Sequence, residues 1–321
     1  MPPAGGAQQL VYGPVPSRRL GRSLGVDLVP LKTCTYDCVY CQLGRTTRKA
    51  VRRQRWVDPS DVVAQVRARL ESEPDVIALA GSGEPTLHAG IGDVIAGIKQ
   101  LTNVPVAVIT NGSLLSRPAV RRGLADADIV LPSLDAPDDG LFQIVNRPHK
   151  ALRFADVLGG MIAFRQGYRG QMWLEVMLLA GVTAMVAEVE RLAELAARIS
   201  PDRIQLNTAV RPPAESFVAP VTEGSLQEFA GLFTPHAEVI ADTTSAGGDR
   251  IAGGADILAL LSRRPCTVAD IAAGLGIHHG EALKAVTALV AKGALELHTH
   301  EDRSFYVVVT ATAENRQEER S

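Results

Sequence analysis

Twelve residues, Lys32 to Leu43 (KTCTYDCVYCQL), constrain this chain more than any others. They hold thiols at Cys34, Cys38 and Cys41 in a C-x₃-C-x₂-C spacing. Three thiolates this close share one metal centre only if a loop wraps it. Thiolates are soft ligands that select iron–sulfur clusters, zinc or copper(I). A cubane cluster normally takes four cysteines, and the only other cysteine, Cys266, lies far along the chain. A cubane held by three leaves one iron with an open position, much as catalytic zinc sites keep one position free. Two blander readings stand beside this one: a disulfide with one thiol left over, and a zinc knuckle. The disulfide needs an oxidising compartment. The zinc site needs a fourth ligand nearby, and no cysteine or histidine follows until His88.

Composition narrows the setting. The 321 residues are long enough for two domains, and a net charge of -2 argues against a globally basic nucleic-acid binder. No run of about 18 apolar residues would span a membrane, and the N-terminus (MPPAGGAQQL) lacks the pattern of a secretory signal. Four cysteines, three of them clustered, read as a reducing cytoplasm.

After the cysteine loop, apolar runs alternate with stretches of helical spacing. Strands are expected at 23–29, 75–80, 104–110, 128–134, 173–180 and 203–207. Helices are expected at 59–71, 90–101, 116–124, 151–166 and 184–199, with one more at 225–233. Repeated βα units force a parallel sheet with right-handed crossovers. Ligands of such sheets gather at the carboxyl ends of the strands. Polar motifs fall there: Gly81-Ser82-Gly83-Glu84 after the second strand, Asn111-Gly112 after the third and Ser133-Leu134-Asp135 at the end of the fourth. Glu175 lies within the fifth strand, where a carboxylate must pair with a cation or face the interior. Gln205, Asn207 and Thr208 end the sixth.

The C-x₃-C-x-aromatic-C pattern, with Tyr40 as the aromatic, resembles the cluster loop of the radical S-adenosylmethionine (SAM) superfamily. Gly81–Glu84 matches that superfamily's GGE-type motif, with Ser82 in place of one glycine. The resemblance implies an open (β/α)₆ partial barrel. It implies a [4Fe–4S] cluster on Cys34, Cys38 and Cys41, with SAM on the open iron. Reductive cleavage of SAM would give a 5′-deoxyadenosyl radical that abstracts hydrogen from a substrate. An electron donor such as flavodoxin or ferredoxin is implied as partner. Tyr40, Ser82, Gly83, Glu84, Asn111, Ser133, Asp135 and Asn207 are the implied cofactor-binding residues. The phrase GPVPSRRLGRSLG also resembles iron–sulfur oxidoreductases related to the tRNA wyosine-forming enzymes. Those enzymes carry three further cysteines upstream of the SAM loop, and here no cysteine precedes Cys34.

Arg18, Arg19, Arg147 and His149 are candidate substrate contacts, because guanidinium forks suit carboxylates and phosphates. The run from Arg45 to Arg55 carries six positive charges and reads first as a solvated face. The substrate could be an RNA or tRNA base, a small metabolite or a peptide. A core domain is expected over 1–242, a glycine-rich linker over 243–254, and a small winged-helix-like domain over 255–311. A disordered tail would follow at 312–321. The third helix of the small domain offers His278, His279, Glu281 and Lys284, a weakly basic set for a DNA groove. The rival to an enzyme is an iron–sulfur or SAM-sensing regulator that binds DNA through that domain.

Overall fold

The computed structural model describes residues 9–240, 254–300 and 303–309. The chain divides into two compact units, Met1–Thr243 and Thr244–Ser321.

The first unit begins with a hairpin, β1 (Val11–Ser17) and β2 (Gly21–Val26), paired antiparallel. The two-residue strands β3 (Thr33–Cys34) and β4 (Arg48–Lys49) pair and close the cysteine loop at its base. There follow α1 (Pro59–Arg67), β5 (Val76–Leu79), α2 (Ile91–Leu101), β6 (Val106–Thr110), α3 (Pro118–Gly123) and β7 (Ile129–Pro132). Then come α4 (Asp139–Val145), α5 (Phe154–Gly167), β8 (Gln171–Leu178), α6 (Val186–Ile199), β9 (Arg203–Thr208), α7 (Glu223–Ala230) and β10 (Glu238–Val239). The sheet order is β1-β2-β5-β6-β7-β8-β9-β10, parallel throughout from β2.

The strands are apolar on both faces because both faces are covered. Ile77, Leu79, Val106, Val108, Leu174 and Val176 pack in one large core with the helices. Helix α2 supplies Ile91, Val94, Ile95 and Ile98, a stripe at helical spacing that is fully buried. Each such side chain contributes about 2 kcal/mol by leaving water. Val76, Ala78, Ala107, Leu131 and Trp173 form a second cluster on the inner face. Leu20, from the β1–β2 turn, packs into it. Its neighbour Arg19 forms an ion pair with Glu175 on β8, four strands along the sheet from β2. That contact requires the sheet to curl until its two sides meet, which makes the inner face a concave interior.

The six expected strands are all present. Besides the two-residue pair β3 and β4, three elements were not anticipated. Val11–Ser17, where no strand was expected, forms β1, an edge strand with a bulge between Tyr12 and Val15. Prolines are tolerated at such edges, so Pro14 and Pro16 do not exclude it. β10 adds a seventh parallel strand, and α4 fills the segment before Asn146.

The second unit comprises α8 (Gly254–Leu261), α9 (Val268–Leu275), α10 (His279–Ala291) and the antiparallel pair β11 (Leu295–His300) and β12 (Arg303–Val308). Ile257, Leu260, Ile271, Ala282, Val286, Leu295 and Phe305 are its buried residues. Thr267 and Asp270 form a reciprocal capping box on α9, and Gly276 ends it at φ 65°. Cys266 is buried, exchanging backbone hydrogen bonds with Tyr306. The order of three helices and a hairpin is the one expected. The expected tail at 312–321 lies outside the described residues, as does the expected linker apart from Gly254. No described helix is long and apolar enough to cross a membrane.

Candidate functional site

The carboxyl ends of the parallel strands open into a cavity of about 300 Å³. Cys34, Cys38 and Cys41 line it, and all three are free thiols, which removes the disulfide reading. Tyr40, Ser82, Gly83, Glu84, Asn111, Ser133 and Asn207 line it as well, together with Arg18 and Arg19. Asp135, Arg147 and His149 do not belong to its lining.

The cysteine loop is seated by backbone first. Gly83 pairs with Thr33 in an isolated bridge, and the Glu84 amide donates to the Thr33 carbonyl at 3.1 Å. A Cβ on Gly83 would lie 1.8 Å from that carbonyl oxygen. The small residues of Gly81–Glu84 thus admit the chain's own loop. The Ser82 hydroxyl donates to the Asp27 carboxylate, and the Ser82 amide donates to it at 3.2 Å. Asp27 was read from sequence only as part of an apolar strand. A carboxylate inside such a run was the signal.

Glu84 is 2% exposed and is held by its own chain. Its Oε1 accepts from the Thr86 amide at 3.0 Å, the Thr86 hydroxyl at 2.5 Å and the Thr110 hydroxyl at 2.6 Å. Its Oε2 accepts from the Asn111 amide at 2.7 Å. A carboxylate has about four acceptor positions in all, so Glu84 clamps the end of β5 to the end of β6. Burial pushes its pKa up, and the Thr110 and Thr86 bonds oppose that rise.

Two side-chain amides reach the thiols, Asn146 buried and Asn111 half-buried. Asn111 Nδ2 donates to Thr35 Oγ1 at 2.7 Å and stands 3.5 Å from Cys34 Sγ. Asn146 Nδ2 donates to Asp135 Oδ2 at 2.8 Å and stands 3.5 Å from Cys38 Sγ. Asp135 also accepts from the Tyr40 hydroxyl at 2.5 Å and from the Met177 amide at 3.2 Å. Asp135 was expected to contact a cofactor; it lies outside the cavity lining, behind Tyr40, and fixes that ring. Asn146 was not picked from sequence. It caps α4, itself unanticipated, and reaches Cys38 across a separation that local pattern does not reveal.

The other two expected site residues outside the lining, Arg147 and His149, lie on the loop after α4. Arg147 pairs with Glu215 at 2.6 Å, and Arg45 shares that carboxylate. The His149 amide donates to the Thr35 carbonyl at 2.8 Å, and its ring accepts from the Ala151 amide. Both residues brace the cysteine loop from outside the cavity. Part of the basic run is similarly structural. Arg53 donates to the Thr86 and His88 carbonyls, and Arg55 pairs with Asp93.

The donor set fits an iron–sulfur cluster. Burial, with Glu84 nearby, pushes the Cys34 thiol up to about 12, and burial also raises Cys38 and Cys41. Such thiols ionise readily only when a metal charge offsets the burial. Among the described residues no three His, Cys, Asp or Glu side chains close around a single ion. A zinc ion requires four donors about one point, whereas the cysteines of a cubane each take a different iron. The Tyr36 hydroxyl, buried in the lining, has no partner among the described residues and remains available to a ligand.

The chain belongs to the radical SAM superfamily, whose model matches residues 28–199. That superfamily uses a [4Fe–4S] cluster and SAM, and membership implies an enzyme. The chain is 37% identical over 215 residues to a UPF0026 protein of Methanocaldococcus jannaschii, covering 66% of this chain and 67% of that one. It is 36% identical over 270 residues to a protein named GTPase Obg of Brachyspira hyodysenteriae, covering 82% of this chain but only 40% of the relative. Its fold is similar to that of a radical SAM methyltransferase from Sphaerobacter thermophilus. There the TM-score is 0.51 and the identity 19%, over 68% of this chain and 65% of that one.

Proposed function

We propose that this chain binds a [4Fe–4S] cluster through Cys34, Cys38 and Cys41 and cleaves SAM reductively to act on a substrate held in the cavity. The observation that carries this reading is the placement of three thiols, two of them facing side-chain amides, in a cavity at the strand ends. When bound, the cluster and SAM supply a 5′-deoxyadenosyl radical able to abstract hydrogen. The chain supplies position and shelter. Asn111 and Asn146 hold two of the sulfurs by N–H donation. Asp135 fixes Tyr40 against the cavity. The Glu84 clamp keeps the ends of β5 and β6 in register, and Tyr36, Ser133 and Asn207 offer polar groups to the ligand. A flavodoxin or ferredoxin is proposed as the electron donor.

The GPVPSRRLGRSLG phrase shared with the wyosine-related group folds as the β1–β2 hairpin and delivers Arg18 and Arg19 to the cavity. It supports kinship in that region without fixing an RNA substrate. Against the regulator, α10 exposes Glu281 beside Lys284, a poor face for a phosphate backbone.

The test is anaerobic. The full chain is reconstituted with iron and sulfide, reduced and given SAM. The expected result is about four irons per chain, as a cubane requires, with 5′-deoxyadenosine formed and both lost in Cys38→Ala. Zinc without iron would sink this reading.

A further inference from the structure

The cysteine loop presents its thiols to the cavity. Along the edge of its first strand runs β4, with Arg48 and Lys49 as the register partners of Thr33 and Cys34. The Arg48 amide donates to the Lys32 carbonyl at 3.1 Å, and the Ala50 amide donates to the Cys34 carbonyl at 2.9 Å. The Cys34 backbone therefore lies about 4.8 Å, one strand spacing, from that of β4. Both residues of β4 are exposed, and neither lines the cavity.

The surface around β4 is basic and carries its charge unmatched. Arg48 stands over the Trp56 ring at 5.9 Å. Lys49 Nζ donates to the Arg147 carbonyl at 2.9 Å, and Arg117 Nη1 donates to the Val51 carbonyl at 2.7 Å. Arg52, next to Val51, is exposed. Lys150 is exposed as well, and the amide of its neighbour His149 donates to the Thr35 carbonyl. Among the described residues none of these five cations pairs with a carboxylate. Carbonyl oxygens orient Lys49 and Arg117 but leave their charge in place. The acids beside this strand are already matched. Glu215 is shared by Arg45 and Arg147, and Asp37 lies 3.8 Å from Arg45. Leu31, 44% exposed next to Lys32, adds an apolar side chain. Charge around a small apolar contact suits a transient docking face.

The position of the face selects its partner. An electron bound for the cluster has to arrive from outside while SAM and substrate fill the cavity, and β4 is one strand from Cys34. RNA is also drawn to cations, but a reacting nucleobase has to lie in the cavity, and none of the five cations lines it. We propose that Arg48, Lys49, Arg52, Arg117 and Lys150 form the docking face for an acidic one-electron donor protein, which reduces the cluster across the β3–β4 pair. One electron passes from donor to oxidised cluster, so the donor is oxidised and the cluster reduced, and no bond forms or breaks. The proposal rests on the radical SAM reading for the presence of the cluster.

The probe is reduced flavodoxin, an acidic one-electron carrier, mixed by stopped flow with the full chain reconstituted with iron and sulfide. The parent's cluster should be reduced more slowly as salt rises. Arg48→Gln, Arg52→Gln and Lys150→Gln are combined, because all three side chains are exposed. At low salt this triple variant should be reduced about tenfold more slowly, within the range that electrostatic steering supplies, and with little salt dependence. Its iron content and the share of cluster that dithionite reduces should match the parent's. Arg169→Gln with Arg198→Gln, exposed cations that precede β8 and β9 at the other end of the strands, should leave the rate unchanged. The proposal is overturned if the triple variant is reduced at the parent's rate, if the parent's rate ignores salt, or if the control pair slows it equally. A triple variant that keeps its rate but loses affinity for transfer RNA would assign the face to nucleic acid and overturn it too. Should no cluster form, calorimetry with flavodoxin and the iron-free chain at low salt decides: no binding, or equal binding by the triple variant, overturns the idea. Failure of the radical SAM reading shows separately, in iron content and in 5′-deoxyadenosine formed with dithionite as the reductant.

Discussion

Glu84 and Glu175 are both carboxylates in the cavity wall, and their partners differ in kind. Glu84 sits in a network of hydroxyls and amides that runs through Thr86, Thr110 and Asn111 to Thr35 of the cysteine loop, which bonds in turn to Ser113 after β6. Glu175 is ion-paired with the Arg19 guanidinium. The first network is closed, since its members satisfy one another within the chain, and it fixes geometry whatever the cavity holds. The second is a charged pair, so its energy changes with the charge of the occupant. The two carboxylates thus rest on different chemistries, and substitutions should separate them.

The largest effect is expected where the closed network meets backbone. Gly83→Ala would drive a Cβ into the Thr33 carbonyl oxygen, a contact no side-chain rotation relieves. Overpacking of this kind costs about 3 kcal/mol. The cysteine loop should be displaced, with iron incorporation nearly abolished and the melting temperature lowered. Normal iron content in Gly83→Ala would show that the loop is seated by something other than the Thr33–Gly83 bridge.

The charged side should respond differently. Arg19→Gln leaves Glu175 without its cation, and breaking a largely buried pair costs about 3 kcal/mol. Glu175→Gln in the same chain should restore most of that loss, because no charge is then stranded. A double-mutant cycle by denaturant unfolding reads the coupling. Additive effects would mean that the pair contributes little, and the contrast with Glu84 would disappear.

A smaller loss is expected behind Tyr40. Asp135→Ala strands the Tyr40 hydroxyl and the Asn146 amide, at a cost of about 2 kcal/mol. The related change Asn146→Ala removes the donor to Cys38 Sγ. Because hydrogen bonds to cluster sulfurs raise a cluster's potential, the reconstituted variant should be harder to reduce, as redox titration would show.

What the sequence disclosed follows from range. The parallel strands were legible because burial on both faces writes a continuous apolar run, as in VIAL at β5. The thiols and the strand-end motifs were legible because their spacing is local. The uses of Asp135, Arg147 and His149 were not, because each depends on partners elsewhere in the chain: Tyr40, Glu215 and Thr35. Prolines concealed β1, whose edge position is a tertiary fact. The short helix α4 carries only Phe142 and Val145 as buried residues, too few to write a helical stripe.

That short helix supports the smallest prediction. Asp138 caps α4, its carboxylate accepting from the Leu141 amide at 2.9 Å and pairing with Arg191 at 2.7 Å. Asp138→Ala should cost about 1 kcal/mol, the usual worth of such a cap. The Leu141 amide, and then Arg191, hold the Asp138 carboxyl below its ordinary value. An acid lowered in the folded state stabilises fully above its unfolded value, and that contribution fades as pH falls through the lowered one. The gap between the parent and Asp138→Ala should therefore be widest near neutral pH and close in acid, as melting curves at several pH values would record. Since α4 delivers Asn146 to Cys38, the variant should also loosen that contact, while leaving the Arg19–Glu175 pair as it was. A gap that widens in acid would mean that the carboxylate is not what caps the helix.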